Sequence, residues 1–476
     1  MTKSPHVLGE GSYGCIHRPP LKCKSPSSVI TEGKVSKLIS KKEAKAELKE
    51  YNLIQQADPE HQYYLGKPDA CDVDDSQANI RAISKCEMKK AVLKDMDNYQ
   101  LLVMEYGGKN IQEYGRELRD LKETDTHRKL AQEFWVDFHQ IMRGIQMLLK
   151  HRLVHHDMKT PNVLYCQKQR RMYLIDFGLM ESIPESIQEC RKNTYEMDIN
   201  WWYFPYDSIW LTPRVFMDEM DDLDEPSLPS YIKRKFTLKY EEDSEINNWM
   251  YSLQRMVQFT EEELNAAIDD FAEFVTETRD NGDDGAYNRF VNQYFMTLDV
   301  YGLGVAGLEL LGYTRKLVPD AFYHSARTFF LGLASFHPMR RPLIQTVLTD
   351  YEQILETTAM LKFDQTTFKF KDHVLVSVPK HQNFMIQSTH DAKESPRIAD
   401  RTLEHMIEMD PIPSKSPKSA TPVSHKSNTS TLVPMLKPPS PKPSSPKPFS
   451  VARRTRKLHY KIPTRIRKRR KTAKNN

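Results

Sequence analysis

The chain has 476 residues, 39% hydrophobic and 10% aromatic, enough for two or three domains with a real apolar core. Its net charge of +5 hides an asymmetry, because residues 411–476 hold 18 Lys and Arg and no Asp or Glu, which leaves 51 basic against 64 acidic side chains in the rest. No stretch offers 18 uninterrupted apolar residues and the first residues lack a signal-peptide core, so we expect a soluble intracellular protein without membrane insertion.

Six cysteines are scattered along the chain without a Cys-x-x-Cys pair. This spacing favours neither a disulfide framework nor a zinc site, and it fits a reducing compartment.

The first predicted element is a glycine-rich segment at residues 8–16, with Gly9, Gly11, Gly14 and then Ile16. Glycines let backbone amides approach a phosphate that a Cβ would keep away. A dinucleotide-binding turn needs a strand before it and a helix after it, but few residues precede the segment and Pro19 would break such a helix. A glycine-rich hairpin over nucleotide phosphates is the favoured interpretation, and an ordinary turn is the alternative.

The next segments alternate between strand and helix patterns. Residues 33–39 have the alternation of a strand, and residues 41–56 form a charged amphipathic helix pattern. Residues 58–98 show few markers. Residues 101–108 predict a buried strand that ends at two glycines, and residues 130–151 predict a core helix from its apolar stripe.

Four polar residues then fall within about twenty positions, three of them just before the short apolar run 163–165 and one just after the run 173–175. They are Asp157, Lys159, Asn162 and Asp176. If the two runs pair as a hairpin, the four groups converge on one cleft, where one carboxylate can accept a hydroxyl proton and another can hold Mg²⁺ against a phosphate. The alternative is that these residues only cap turns.

This stretch resembles the catalytic loop and the metal-binding loop of the eukaryotic-type protein kinases. The resemblance implies that Asp157 binds the substrate hydroxyl and Lys159 the transferred γ-phosphate of ATP. It implies that Asn162 and Asp176 hold Mg²⁺. A lysine two residues after the aspartate is the pattern of serine/threonine kinases, and His155 is interpreted as a structural residue of the loop.

The same resemblance assigns a phosphate-binding lysine on a strand and its glutamate partner on a helix. We assign Lys37 and Glu47, with Lys34 as the alternative lysine. Glu43 and Glu50 are alternative glutamates, and each of these charges could instead lie on a solvated surface. The glycine segment would cover the nucleotide through Gly9, Gly11, Gly14 and Ile16.

The end of the strand at 101–108 resembles the hinge between kinase lobes. Met104 would be the gatekeeper, the backbone of Glu105 and Gly107 would meet adenine, and Leu164 would pack under it. As a pattern alone, this segment is a core strand and a turn.

Two features depart from the kinase pattern. His156 stands where most kinases have an arginine that binds a phosphate on the activation segment, so we predict activity without phosphorylation of Thr194 or its neighbours. Asp207 stands where a glutamate is usual, and we expect it to replace that residue.

Later motifs complete the resemblance. Asp299 is predicted to N-cap an apolar helix and to bond the catalytic-loop backbone. The long gap before it indicates an insertion at about 208–295, containing a helix with a capping box at Thr260. Arg341 resembles the closing arginine that bonds an acidic residue near Pro205, and the folded domain is expected to end near Met360.

Residues 411–476 hold twelve prolines, four Ser-Pro or Thr-Pro steps and two basic blocks. Such composition cannot bury enough surface to fold. The basic blocks favour a nuclear-import signal, a nucleic-acid contact or an intramolecular contact with the acidic body.

Together these motifs predict an α+β, two-lobed protein-kinase-like fold with a small β-rich N-lobe (1–106), a larger helical C-lobe (107–360) and a Pro-rich basic disordered tail (361–476). The predicted function is a serine/threonine protein kinase that uses ATP and Mg²⁺ on protein substrates, in the cytoplasm or nucleus. The compact glycine loop and short lysine-to-glutamate gap resemble the divergent protein kinases of large DNA viruses, which would allow a virion-associated protein. The alternatives are a pseudokinase scaffold or nucleic-acid-binding protein acting through its tail, and a small-molecule kinase.

Overall fold

The computed structural model describes residues 4–11, 14–25, 33–195, 203–221, 253–255, 257–280, 285–363 and 366–378. All of them fall in one compact unit, Met1–Phe384. The second unit, Met385–Asn476, which includes the predicted nucleic-acid or import-receptor contact, lies outside the described residues.

The small lobe is a five-stranded antiparallel sheet in the order β1-β2-β3-β5-β4. Its strands are β1 (His6–Gly11), β2 (Gly14–Arg18), β3 (Lys34–Ser40), β4 (Asp69–Asp72) and β5 (Tyr99–Glu105). Gly11 lies opposite Gly14 in the β1–β2 hairpin. The glycine segment is therefore the predicted hairpin, and the strand that follows it excludes the dinucleotide-binding interpretation.

One face of this sheet packs against α1 (Lys41–Ala57). The helix begins at Ser40, whose hydroxyl accepts the N–H of Glu43 at 3.2 Å and donates to its carboxylate at 3.1 Å. Such a cap contributes about 1 kcal/mol to helix stability. Ala44 of the helix packs against Ile39 and Leu102 of the sheet, so α1 is fixed beside the strand that carries Lys37.

The opposite face of the sheet is covered by α2 (Gln77–Ile83) and α3 (Lys89–Lys94), from the segment that had few sequence markers. Both helices contribute to an apolar cluster with the sheet, consisting of Leu21, Leu38, Val73, Ala82, Ile83, Val92, Leu101 and Val103. The small lobe thus has helices on both faces of its sheet.

Two disulfides lie on this outer side, Cys15–Cys86 and Cys23–Cys71, with Cα–Cα distances of 6.2 and 5.7 Å. The expectation of no disulfides was wrong. The partners are 71 and 48 residues apart in sequence and meet only because β4 and the helices fold back on the sheet, so local spacing could not show them.

The large lobe is mainly helical. Its helices are α4 (Ile111–Asp120), α5 (Asp125–Lys150), α6 (Ile183–Arg191), α7 (Pro213–Asp221), α8 (Glu261–Asp280), α9 (Ala286–Thr314), α10 (Asp320–Leu333) and α11 (Ile344–Thr357). The predicted core stripe of α5 is confirmed, since all six of its residues are buried: Phe134, Phe138, Ile141, Ile145, Leu148 and Leu149.

Two short sheets lie where the helices meet the cleft. One has the order β6-β8-β9, formed by β6 (Lys109–Asn110), β8 (Val163–Cys166) and β9 (Arg171–Leu174). In the other, β7 (Leu153–Val154) pairs with β10 (Glu181–Ser182). The apolar runs on either side of the turn thus form the predicted hairpin, with Val163 opposite Leu174.

The expected insertion at 208–295 contains α7, α8 and the first turns of α9. Its predicted capping box is confirmed, because Thr260 Oγ1 accepts the N–H of Glu263 at 3.1 Å and Glu263 accepts the N–H of Thr260 at 2.8 Å. Residues 222–252 lie outside the described ones, and the side chains of the acidic run from Asp218 are not described.

Helix α9 corrects one prediction. Asp299 does not begin the helix, which starts thirteen residues earlier at Ala286, because apolar residues at helical spacing such as Phe295 and Leu298 continue its buried stripe upstream. Among the described helices, α9 alone is long and apolar enough to cross a membrane, and 89% of its most apolar window is buried inside the fold. It is the core helix of the large lobe.

The folded domain extends beyond the expected end at Met360. Strands β11 (Lys362–Phe363), β12 (Thr366–Lys371) and β13 (Val374–Val378) form a further antiparallel sheet that packs on the core through Phe368 and Phe370. Glu352 of α11 accepts hydrogen bonds at 2.7 Å from His139 and His373, which ties this sheet to the lobe. The sequence did not predict this sheet, because Phe368 and Phe370 are the two large side chains of β12 that pack inward and they give only a short alternating pattern.

Candidate active site

Lys37 and Glu47 meet in the small lobe. Lys37 Nζ lies 2.7 Å from Glu47 Oε2, and both side chains are partly buried. The alternative lysine, Lys34, instead lies 3.4 Å from Asp69 and 3.7 Å from Glu105. The strand–helix geometry therefore brings together the pair that the sequence favoured.

Asp299 of the core helix α9 holds the backbone of the catalytic loop. Asp299 Oδ2 accepts the backbone N–H of His155 at 2.7 Å and Oδ1 accepts that of His156 at 2.9 Å, as predicted. Burial raises the pKa of Asp299, and the two backbone bonds and both histidines oppose that shift. His155 also bonds the carbonyl of Ile175, so it joins the two loops as a structural residue.

Two of the predicted residues bond one carboxylate oxygen of a third, Asp157. Asp157 Oδ2 lies 2.7 Å from Lys159 Nζ and 2.8 Å from Asn162 Nδ2. Because both bonds fall on Oδ2, Oδ1 is the oxygen that can accept a hydroxyl proton. Asp157 is itself buried, with 8% of its surface exposed, so its position is fixed before any substrate binds.

Asn162 and Asp176 flank the same end of the β8–β9 hairpin. The N–H of Ile175 donates to the carbonyl of Asn162 at 3.0 Å, which closes that end. Asn162 donates both of its side-chain bonds through Nδ2, which leaves its carboxamide oxygen for a cation. Asp176 is exposed, with a φ of 63°. A carboxylate and a carboxamide oxygen at one hairpin end are the oxygen donors that suit Mg²⁺.

Phe177 couples this loop to the small lobe. Its buried ring makes edge contacts with Tyr51 of α1 at 5.7 Å and with Tyr64 at 6.1 Å between centroids. It also contacts His155 at 5.4 Å. Because α1 carries Glu47, the position of the metal loop and that of the Lys37–Glu47 pair are mechanically linked.

The predicted hinge follows β5. Met104 packs with Leu102 in the apolar cluster under α1, and Glu105 ends the strand with its side chain exposed. A Cβ on Gly107 would lie 2.8 Å from a methyl carbon of Leu164, so the hinge backbone runs close to that side chain. Gly107 and Leu164 therefore line the same wall of the cleft.

The glycine hairpin lies on the other side of that cleft. Ile16 of β2 pairs with Gly9 of β1 on one side and with Lys37 of β3 on the other. The side chains of Ile16 and Lys37 therefore lie on the same face of the sheet. A Cβ on Gly14 would lie 2.9 Å from the carbonyl oxygen of Leu38, which makes glycine necessary there. Residues 12 and 13 at the tip lie outside the described ones.

The predicted closing contact is present. Arg341 forms a two-bond ion pair with Asp207, one bond of which measures 3.1 Å, and both side chains are fully buried. Asp207 thus makes the contact that the resemblance assigned to a glutamate.

Sequence reasoning missed Glu181. Its carboxylate lies 3.6 Å from His156 Nδ1, an ion-pair distance longer than a hydrogen bond, and it accepts hydrogen bonds from Ser186 and Tyr195. Burial by itself lowers the pKa of His156, but Glu181, with Asp299 and Asp157, outweighs it and raises that pKa. The histidine is therefore more easily charged than the sequence suggested. No local pattern marks Glu181, which meets His156 through the β7–β10 pairing.

Glu309 of α9 was also missed. One of its oxygens accepts hydrogen bonds from Thr160 at 2.7 Å and Tyr203 at 2.6 Å. The other accepts bonds from Gln112 and Tyr313. A buried glutamate in an apolar helix was the available signal, because such a group is retained only with polar partners.

Residues 3–205 match the family model described as protein kinase domain, which covers less than half of the 476 residues. No curated protein matches the chain. The similarity to kinases of large DNA viruses stays a prediction. The match covers the glycine hairpin, the Lys37–Glu47 pair and both loops, and the described chain folds as a protein kinase domain with an N-terminal β-sheet and a helical C-terminal part.

Proposed function

We propose that this protein is a catalytically active serine/threonine protein kinase that transfers the γ-phosphate of ATP to protein hydroxyls with Mg²⁺. The observation that carries the proposal is the cluster in which Lys159 and Asn162 bond one oxygen of Asp157. A scaffold without activity has no need for this arrangement around a buried carboxylate.

In the proposed mechanism Asp157 orients the acceptor. Its Oδ1 accepts the hydroxyl proton, while the two bonds on Oδ2 hold the carboxylate in place. Lys159, 2.7 Å from that carboxylate, supplies a positive charge beside the reacting centre. Positioning and charge neutralisation supply most of the rate in this class of reaction.

Lys37 binds nucleotide phosphate from the opposite wall of the cleft. The 2.7 Å contact with Glu47 fixes its ammonium group, so less side-chain entropy is lost when phosphate binds. The backbone of the glycine hairpin covers the phosphates, and the hinge at Glu105 and Gly107 holds the base above Leu164.

Asn162 and Asp176 would hold Mg²⁺ through the carboxamide oxygen and the carboxylate. When bound, the ion neutralises developing charge on the phosphates. The contacts of Phe177 with α1 keep Asp176 in register with the Lys37–Glu47 pair.

The choice of serine and threonine rests on Lys159, two residues after Asp157, which matches the serine/threonine pattern and lies against the carboxylate. The proposed independence from phosphorylation rests on Glu181. Its carboxylate, held by Ser186 and Tyr195, supplies the negative partner that His156 would otherwise take from a phosphate.

The test is transfer of labelled phosphate from Mg-ATP to basic and acidic test proteins, followed by phosphoamino-acid analysis. We expect phosphoserine and phosphothreonine from the wild type, and a loss of about a hundredfold to a thousandfold for Asp176→Ala. Asp97→Ala is the matched control, because the Asp97 side chain is 90% exposed and its ion pair is with the surface residue Lys24.

Three results would contradict the proposal. Phosphotyrosine alone would overturn the acceptor class, and wild-type activity in Asp176→Ala would overturn the metal assignment. A folded wild type that binds nucleotide and transfers nothing would favour the pseudokinase scaffold.

For phosphorylation independence, Thr194→Ala should retain full activity, since Thr194 is exposed and its hydroxyl bonds the local carbonyl of Glu189.

A further inference from the structure

We propose that Cys15, His17 and Cys86 form a zinc site on the outer side of the small-lobe sheet when the Cys15–Cys86 disulfide is reduced. The three donor atoms lie within 4.8 Å of one another, and all three residues are buried. The site is separate from the nucleotide cleft, because it faces α2 and α3 and not α1.

The strand pattern fixes two of the ligands. Cys15 and His17 are two residues apart on β2, so their side chains leave the same face of the sheet. Cys86 comes from the turn between α2 and α3, where its N–H bonds the carbonyl of Ile83 at 2.9 Å. Two separate elements therefore present the donors to one point.

The histidine already lies at ligand spacing from both sulfurs. His17 Nε2 is 3.8 Å from Cys15 Sγ and 3.5 Å from Cys86 Sγ. A tetrahedral zinc ion with Zn–S of about 2.3 Å and Zn–N of about 2.0–2.1 Å separates these atom types by about 3.6 Å. Only the two sulfurs must move apart after reduction, and the imidazole keeps its place.

The donor set suits a divalent cation. The His17 side chain is fully buried, with its Nε2 beside both sulfurs. A neutral imidazole and two thiolates balance the charge of a divalent cation, and thiolate with imidazole is a donor set that suits zinc.

The chemistry couples metal binding to redox state. Two molecules of a thiol such as glutathione reduce the disulfide, giving two cysteine thiols and one glutathione disulfide. Zinc then displaces one proton from each thiol and binds the two thiolates and the imidazole. Oxidation by glutathione disulfide reverses the sequence, forming the Cys15–Cys86 bond again and releasing the ion.

Both the disulfide and the zinc-bound form would hold the glycine hairpin on the outer side of the sheet. Cys15 lies between Gly14 and Ile16, and the neighbouring residue Glu87 donates its N–H to Glu10 of β1 at 2.8 Å. The site therefore ties the hairpin to the outer helices in both oxidising and reducing surroundings.

The second disulfide offers a matched control. Cys23 and Cys71 also link the outer side of the small lobe, with a Cα–Cα distance of 5.7 Å, but they are not part of a donor group with a histidine in the described chain. Replacing this pair by serine removes the same number of thiols and leaves the proposed ligands intact.

The experiment measures zinc in the full chain after reduction, incubation with zinc and removal of unbound metal. We expect about one ion per chain in the reduced wild type and in Cys23→Ser/Cys71→Ser, and none in Cys15→Ser/Cys86→Ser or in the oxidised wild type. Cobalt in place of zinc should give the thiolate-to-metal charge-transfer absorption in the same samples only. A chelator should lower the Tm of the reduced protein and leave that of the oxidised protein unchanged.

Reduced wild type without bound zinc would overturn the proposal, as would equal zinc in the Cys15→Ser/Cys86→Ser variant. If that double variant does not fold, His17→Gln decides, because it keeps the disulfide during purification and lacks the nitrogen ligand. Undiminished zinc affinity in folded, reduced His17→Gln would contradict the assigned donor set.

Discussion

The catalytic loop and the small-lobe wall of the cleft hold their charged groups by different means. Asp157 is buried and fixed through a network that reaches the core helix, with Asp299 beneath it. Lys37 and Glu47 retain 20% and 15% exposure and are joined by a single ion pair. The loop therefore depends on the folded core, whereas the wall can change without unfolding the domain.

This difference predicts which mutations lower stability and which lower activity alone. A buried polar network left without one partner pays the full desolvation cost of the other group. A partly exposed ion pair has solvent as a substitute partner, so its loss costs little stability. Changes around the loop should reduce both stability and activity, and changes in the wall should reduce activity alone.

The largest effect is expected at the Arg341–Asp207 pair. Arg341→Met leaves Asp207 charged and fully buried, so we expect a loss of about 3–5 kcal/mol in the free energy of unfolding. Urea denaturation measures it. Arg315→Met is the control, because Arg315 and its partner Asp320 are 44% and 78% exposed. Equal losses in both variants would show that burial of the ion pair does not determine the loss in the free energy of unfolding.

A smaller loss is expected for Asp299→Asn. Asparagine keeps one acceptor but places an amide group against the second backbone N–H, so we expect a loss of about 1–3 kcal/mol in stability. The rate of transfer should fall with it, because His155 and His156 lead directly into Asp157. Chemical denaturation and initial rates on the same preparation test both parts. A fall in rate without any loss of stability would break the proposed link to the core.

Glu47→Gln should affect activity alone. Without Glu47 the Lys37 ammonium loses its fixed position, and we expect roughly a 10- to 100-fold fall in kcat/KM, with the free energy of unfolding nearly unchanged. Glu50→Gln on the same helix is the control and should stay close to wild type. If Glu50→Gln lost the activity and Glu47→Gln kept it, the assignment of the pair would be wrong.

The smallest effect is a pH dependence from His156. Its folded-state pKa is raised above the ordinary 6.5, so the charged form stabilises the fold. That contribution is fully present below pH 6.5 and is lost as the pH rises through the folded-state pKa. The stability difference between wild type and His156→Gln should therefore shrink on going from acidic to mildly alkaline pH.

Denaturation curves across that range measure the difference, and His324→Gln, on an exposed turn of α10, is the control. A difference that grew with pH would contradict the charged assignment of His156. It would also remove the reason for Glu181 to act as its built-in partner.

The arrangement of the candidate active site was largely predictable from the sequence because its polar residues follow one another in a recognisable order along the chain. Asp157, Lys159 and Asn162 precede one short hairpin and Asp176 follows it, so local spacing was enough to place them together. Lys37 and Glu47 required only a strand and the helix that follows it. In these cases the contact follows from neighbouring elements.

The remaining features depend on contacts between distant segments. Cys15 meets Cys86 because the segment between α2 and α3 folds onto the outer face of the sheet, and Cys23 meets Cys71 because β4 pairs at the edge of that sheet. The start of α9 was misplaced because Asp299 fits an N-cap, whereas it is a buried side chain in the middle of a helix that bonds another loop. The sheet after Met360 was missed because its strands are short and mostly exposed.

The most direct test of the proposed activity is the single-turnover rate of Asp157→Asn, measured with its affinity for nucleotide and beside the exposed control Asp97→Asn. We predict a fall of about 10²- to 10⁴-fold in the rate of phosphate transfer, with unchanged nucleotide affinity and a wild-type rate in the control. Transfer by Asp157→Asn at the wild-type rate would contradict the account, because the reaction would then not pass through the carboxylate on which the loop converges.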